Sequence, residues 1–330
     1  MPEVRIRDSR GVTYRRSEFD VTNAVNTTEP LSVTREVCRI FLDLYGEEQA
    51  AWRIRQSFAD VADMYQGRHP GYHACETWYH DLQHVLDVTL AMARLMDGYQ
   101  RSSMARRTEL GQDMFVLGVT CALLHDSGYL RRQGDRRHAN GAEYTLTHIT
   151  RGSRLLRDQL PRVGLAQFVA PAGQILHFTG YEVPIREIRL RDPRFRLVGT
   201  LLGTADIIAQ MSDRCYLEKC RDRLYPEFVL GGVARRKKGD GHEVVVYSSA
   251  EDLVMKTPGF SQGAMHRLEA EFGGLYRCAE TCFGGDNPYL DELNRNVSFA
   301  QLIASRRDMG LLRRRPPRSV ASGLLPPTLN

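Results

Sequence analysis

The chain has 330 residues, 42% of them hydrophobic and 26% charged, enough to bury a large core as one large domain or two small ones. It contains no run of about 18 apolar residues, which excludes a helical membrane span, and the opening residues carry no apolar segment behind their charges, so no secretory signal is expected. The net charge of +5 equals the excess of six Arg over one Asp between residues 306 and 330, so a contact with nucleic acid or anionic lipid is suggested only by that tail.

Residues 1–30 are polar, rich in Arg and Thr, and lack apolar periodicity; they read as a flexible arm. Ser32 or Thr34 is placed to cap a helix through Val37, Ile40, Phe41 and Leu44 that stops near Gly46. A second amphipathic helix carries Ala51, Ile54, Phe58, Val61, Ala62 and Tyr65 and ends before Gly67 and Pro70. His69 and His73 fall in the loop that follows and read as solvated.

The next helical pattern places His80, His84 and Asp87 on one face at i, i+4 and i+7, with Leu82, Leu86, Ala93 and Met96 on another. Metal binding or proton transfer accounts for that alignment better than surface decoration does. The run Met114–Leu124 is apolar on every side and ends in His125-Asp126-Ser127-Gly128. That run carries an imidazole and a carboxylate into the interior, where an unpaired charge is costly. A metal ion resolves the cost by binding both.

Arg131–Arg137 is a basic loop. His138-Ala139-Asn140-Gly141-Ala142-Glu143 opens a further helix, and Leu165–Leu176, broken at Pro171, leads to His177. The apolar helix with Phe195, Val198, Leu201, Leu202 and Ala205 carries Asp206, which has no positively charged residue within a turn of it. That isolation again favours a metal. Residues 213–224 read as helical, Gly231–Gly241 as a basic Gly-rich loop, Val244–Tyr247 as a short strand, and 263–276 and 287–304 as helices. The stretch after Arg313 is a Pro-rich tail. Seven cysteines at irregular spacing suggest reduced thiols in a cytoplasmic protein, and Cys278 and Cys282 read as structural. The organisation expected is an arm (1–30), one helical domain (31–305) and a basic tail (306–330).

The ordered set His84, His125-Asp126, Asp206 resembles the HD-domain superfamily of metal-dependent phosphohydrolases. Tyr79-His80-Asp81-Leu82-Gln83-His84-Val85-Leu86-Asp87-Val88 is similar to the Tyr-His-Asn-x-x-His-Ala-x-Asp-Val signature of cyclic-nucleotide phosphodiesterases, with Asp81 in place of Asn. Tyr129 stands where that pattern has another His. The resemblance covers residues 75–210 and implies an all-α, phosphodiesterase-like helical bundle. It implies that His84, His125, Asp126 and Asp206 hold one divalent metal, and that Asp126 bridges to a second held by His138 and His177. His148 is a nearby alternative to His138. His80 would donate a proton to the leaving group. The metals expected are one or two of Mg²⁺, Mn²⁺, Zn²⁺ or Fe²⁺, and the substrate a small-molecule phosphoester such as a nucleotide or cyclic nucleotide. An HD-type di-iron oxygenase and a non-catalytic nucleotide-binding module are the alternative functions.

Overall fold

Because Met114–Leu124 has no polar face, the helix it forms must be covered on all sides. The computed structural model, which describes residues 15–237 and 242–318, shows this: every residue from Met114 to Leu124 of helix α4 (Gly111–Leu124) is buried. Its neighbours are α1 (Pro30–Tyr45), α2 (Trp52–Tyr65), α3 (Leu82–Arg101), α5 (His148–Gln159), α6 (Val169–Ile175) and α7 (Pro193–Ser212). Each fully buried Leu, Val or Phe in such a helix contributes roughly 1.5–3 kcal/mol of transfer free energy.

Beyond α7 the chain forms α8 (Tyr216–Lys219), a π-helical turn at Cys220–Leu224 and α9 (Tyr225–Leu230). Then come α10 (Ala250–His266), α11 (Cys278–Cys282) and α12 (Pro288–Arg306). The axis of the fold is α3. It packs against α1, α4, α7 and α11, and from Leu82 to Tyr99 only Asp87 is not fully buried. Gly98 lets α3 touch another backbone, since a Cβ there would lie 1.7 Å from the Cys278 carbonyl oxygen. The described residues are thus mostly helical, as expected. Their one sheet is an antiparallel hairpin pairing Arg235–Lys237 with Glu243–Val245 in the register Arg236↔Val244. Part of the basic loop expected at 231–241 is therefore a strand.

Other departures have local causes. The helix expected to break at Pro171 does not, because Pro171 is the third residue of α6, where its missing N–H has no intrahelical partner to lose. His138–Glu143 does not open an α-helix; Asn140 and Glu143 form a capping box over a single 3₁₀ turn, Gly141–Tyr144. α10 continues through Pro258 and begins well before residue 263.

The flanking segments are held as well. Within the expected arm, Asp20 and Val25 are buried, and Asp20 receives the Arg94 guanidinium at 2.6 Å and the Val25 N–H at 2.9 Å. Arg94 also donates to the Tyr289 hydroxyl at 3.0 Å, tying residues 15–29 to α3 and α12. The start of the basic tail docks too. The Arg314 N–H donates to Glu218 at 3.1 Å, its guanidinium to the Arg214 carbonyl, and Arg223 reaches the Pro317 carbonyl. Residues 1–14 and 319–330 lie outside the described residues. No described helix is long and apolar enough to cross a membrane.

Candidate metal centre

Two helix ends and one helix middle bring the side chains together. Asp81 caps the N-terminus of α3 by accepting the His84 N–H at 3.0 Å, which fixes the turn that carries the His84 ring. At the other end of the site α4 stops at His125, still in right-handed geometry, and Asp126 turns the chain into a 3₁₀ turn, Ser127–Tyr129. Gly128 allows the first turn of α5 to lie directly on this corner, because a Cβ at 128 would fall 1.8 Å from the His148 carbonyl oxygen. Arg151 of α5 clamps the same corner by donating to the carbonyls of Gly128 (2.7 Å) and Leu130 (2.9 Å). Asp206 comes from the middle of α7, the helix packed along α3.

His84, His125 and Asp126 present one ligand atom each within 4.8 Å of one another, and all three are buried. The His84 and His125 Nε2 atoms are 3.3 Å apart and lie 3.2 and 3.1 Å from Asp126 Oδ2. Asp206 Oδ1 stands 3.6 Å from His84 Nε2 and 3.9 Å from His125 Nε2. Edges near 3.3 Å are what ligand atoms about 2.0–2.1 Å from a common tetrahedral centre would show.

The hydrogen bonds set which atoms of that corner are left with free lone pairs. His125 Nδ1 donates to the Ala122 carbonyl at 2.7 Å, which leaves the lone pair of neutral His125 on Nε2, facing His84 and Asp126. Asp126 Oδ2 is buried and has no hydrogen-bond partner. Burial alone would push the His125 imidazole down and the Asp126 carboxyl up. Instead the adjacent carboxylates of Asp126 and Asp206 raise His125 to about 9, and the imidazoles of His125 and His80 hold Asp126 well below the usual carboxylate range. The corner therefore demands positive charge, which a proton or a divalent cation supplies. Behind it, Gln210 donates to Asp206 Oδ1 at 3.4 Å and accepts from the Tyr79 hydroxyl at 3.3 Å, orienting the fourth donor.

A second arrangement adjoins the first. His148 donates from Nδ1 to the Thr145 carbonyl at 2.6 Å and points Nε2 toward Asp126 Oδ1 at 3.6 Å. The two oxygens of Asp126 thus face two different sets of imidazoles. Tyr129 is sandwiched between His148 and His80, with ring centroids 4.5 Å from each and interplanar angles of 18° and 16°. His80 Nδ1 is paired with Glu227 Oε2 at 2.5 Å, and the other oxygen of this fully buried carboxylate accepts the Tyr79 N–H. Burial would lower the His80 imidazole, but the carboxylates of Glu227 and Asp126 leave it above its ordinary value.

Of the residues expected from the sequence, His84, His125, Asp126 and Asp206 converge, and His80 stands beside them. His80 precedes the Asp81 cap, so it reaches the site from a turn and not from the face of α3. Asp87 does not join the site; burial and Asp213 push it up to about 7, against the pull of Lys219. The structure does not bring His138 or His177 to Asp126. His138 Nδ1 lies 3.2 Å from Asp135 with its ring against Tyr144, and His177 sits on the turn Leu176–Phe178 with Nδ1 buried and unbonded. His148, the alternative to His138, takes that place. Glu227 is a site residue that the motifs miss; it stands among Tyr225, Pro226, Phe228 and Val229, but Arg223 one turn before it hides the signal that marks Asp206.

His84, Asp126 and Asp206 open onto a cavity of about 950 Å³ whose walls come from α5, α7, the Cys220–Leu224 turn, α9, the hairpin and α10. No family model, no curated protein and no solved structure matches this chain.

Proposed function

We propose that this chain is an HD-type metal-dependent phosphohydrolase. The observation that carries the reading is Asp126 Oδ2, a buried carboxylate oxygen without a hydrogen bond, set between two imidazole nitrogens. A divalent cation there satisfies all three at once. His84, His125, Asp126 and Asp206 would hold it, and Asp126 Oδ1 with His148 offers the beginning of a second position.

Bound metal would supply a water of lowered pKa and offset charge on the phosphoryl oxygens. The protein's own groups do the rest. Gln210 and Tyr79 orient Asp206, and Ala122 fixes the His125 tautomer. Glu227 binds the Nδ1 proton of His80 and thereby leaves Nε2 free to give a proton to a departing alkoxide. Tyr129 fills the space between His80 and His148, keeping both rings parallel.

The test is metal analysis of the purified protein together with a phosphoester panel assayed with Mg²⁺, Mn²⁺, Zn²⁺ and Fe²⁺. Near-stoichiometric metal and chelator-sensitive release of an alcohol from at least one ester are expected. Absence of affinity for all four metals would overturn the reading. Iron accompanied by O₂ consumption without ester cleavage would assign the same ligands to an oxygenase.

A further inference from the structure

We propose that the 950 Å³ cavity takes a phosphoester of an apolar, hydrocarbon-rich alcohol and not of a nucleoside. The phosphoester end of this proposal rests on the hydrolase reading above; the apolar body rests on the cavity alone.

The volume lies at the upper end for small-molecule sites, far more than a phosphate needs. What surrounds the remaining space is largely hydrocarbon and aromatic ring. Ile207 of α7, Tyr216 of α8, Phe228 of α9, Val246 after the hairpin, and Leu253 and Phe260 of α10 line it. At its mouth Leu146, Tyr181 and Phe260 are 61%, 68% and 40% exposed. Solvated large apolar side chains grouped around an opening mark a surface that a ligand covers.

A nucleobase needs polar partners for its edges, and the threonine hydroxyls and the carboxamide of the wall are engaged elsewhere, while the charged Arg236 and Glu182 line it only at exposed positions. The Thr145, Thr179 and Thr257 hydroxyls donate to the carbonyls of Ala142 (2.7 Å), Leu176 (2.9 Å) and Leu253 (3.1 Å). Gln210, the lining carboxamide, is held between Asp206 and Tyr79. Among the lining cations, Arg235 faces Glu243 at 3.3 Å and Lys256 donates to Asp252 and to the Val246 carbonyl, both at 2.8 Å. A base placed here would lose water from its edges and gain little in return, whereas an alkyl body loses only unfavourable hydration.

The experiment compares ethyl-, butyl-, hexyl- and octylphosphonate, in which a C–P bond replaces the hydrolysable C–O–P link, and adenosine 5′-monophosphate, by calorimetric titration of the metal-loaded full chain. Affinity should rise about two- to fourfold per methylene, approaching that of a fully buried methylene. Octylphosphonate should bind at least about sixtyfold more tightly than ethylphosphonate at twofold per added methylene, and more tightly than the nucleotide. Phe260→Glu, at an exposed position, should weaken the octyl compound about tenfold and leave the ethyl compound unchanged. Affinity independent of chain length, tighter binding of the nucleotide, or an equal effect of Phe260→Glu on both phosphonates would overturn the proposal. Parallel turnover of the matching alkyl phosphates separates the two readings. Chain-length-dependent binding without turnover of any ester sinks the hydrolase reading and leaves the apolar cavity standing. Equal turnover of short and long esters with flat binding does the reverse.

Discussion

Helices α3 and α7 bury carboxylates at two levels, and the two levels are solved differently. At one, Asp213 receives the Lys219 ammonium at 2.5 Å and the Cys215 N–H at 2.6 Å, and Lys219 also donates to Gln83 at 3.0 Å. Against the upward push of burial, Lys219 keeps Asp213 ionised. At the other, Asp126 and Asp206 meet imidazoles and, at Asp206, the neutral Gln210 carboxamide, and among the described residues no Lys or Arg pairs with either. The first cluster is neutralised from within the chain. The second is not, and it is the one that opens onto the cavity. Burial of acid alone therefore does not mark a ligand site; burial of acid without a protein cation does.

The largest effect should come from removing the carboxylate that both imidazole sets share. Asp126→Ala should purify without metal and lose phosphoester turnover to background, with the fold retained, because the neighbouring imidazoles can stay buried in their neutral form once the carboxylate is gone. Elemental analysis and thermal unfolding of the metal-free proteins check both halves. Lys219→Met should do the opposite. It leaves Asp213 buried without its cation, a loss of about 3–5 kcal/mol, while metal content stays as in the parent. If Lys219→Met lost metal with its fold intact, the division between the two clusters would fail.

His148 sharpens the comparison inside the candidate metal centre. His148→Ala should lower metal stoichiometry by one while the ion at His84, His125 and Asp206 remains. His138→Ala and His177→Ala should keep full occupancy, since neither ring approaches Asp126. Retention of two metals per chain in His148→Ala would make this histidine a packing residue.

Much of this arrangement is legible in the amino-acid sequence, and the gaps have physical causes. The apolar run ending in His125-Asp126 can fold in few ways, because a helix without a polar face must sit at the centre with its terminus inside. Asp206 is legible for a related reason, the absence of a nearby cation. Periodicity puts His80 on the helix, wrongly, because 3.6-residue spacing does not show where a helix begins; the Asp81 cap decides that. The choice between His138 and His148 depends on a close approach of Gly128 to the first turn of α5, a contact between segments that no local pattern encodes. The early start of α10 is hidden by Pro258 and Gly259, which break the apolar rhythm without breaking the helix. Residues 15–29 lack apolar periodicity and are still fixed, because Asp20 answers Arg94, a buried cation on α3.

Glu227 is another buried carboxylate and falls between the two kinds: its partners are an imidazole and a backbone N–H, not a set of imidazoles and not a lysine. Its substitution should give the smallest and most selective effect. Glu227→Gln keeps the shape and can still bond His80, but it removes the negative charge that helps raise the His80 imidazole. The proton-donating form of His80 exists below its pKa, so turnover that needs the acid falls as pH rises through that value. With the charge removed the pKa drops, and the alkaline limb of kcat for an alkyl ester should move to lower pH. At neutral pH the loss should be about 10–100-fold, as for other residues that orient a functional histidine. An aryl ester such as a nitrophenyl phosphodiester, whose leaving group departs unprotonated, should be nearly unaffected, and metal content should not change. A limb that stays in place for the alkyl ester, with equal losses on both esters, would show that Glu227 only supports the fold around Tyr79.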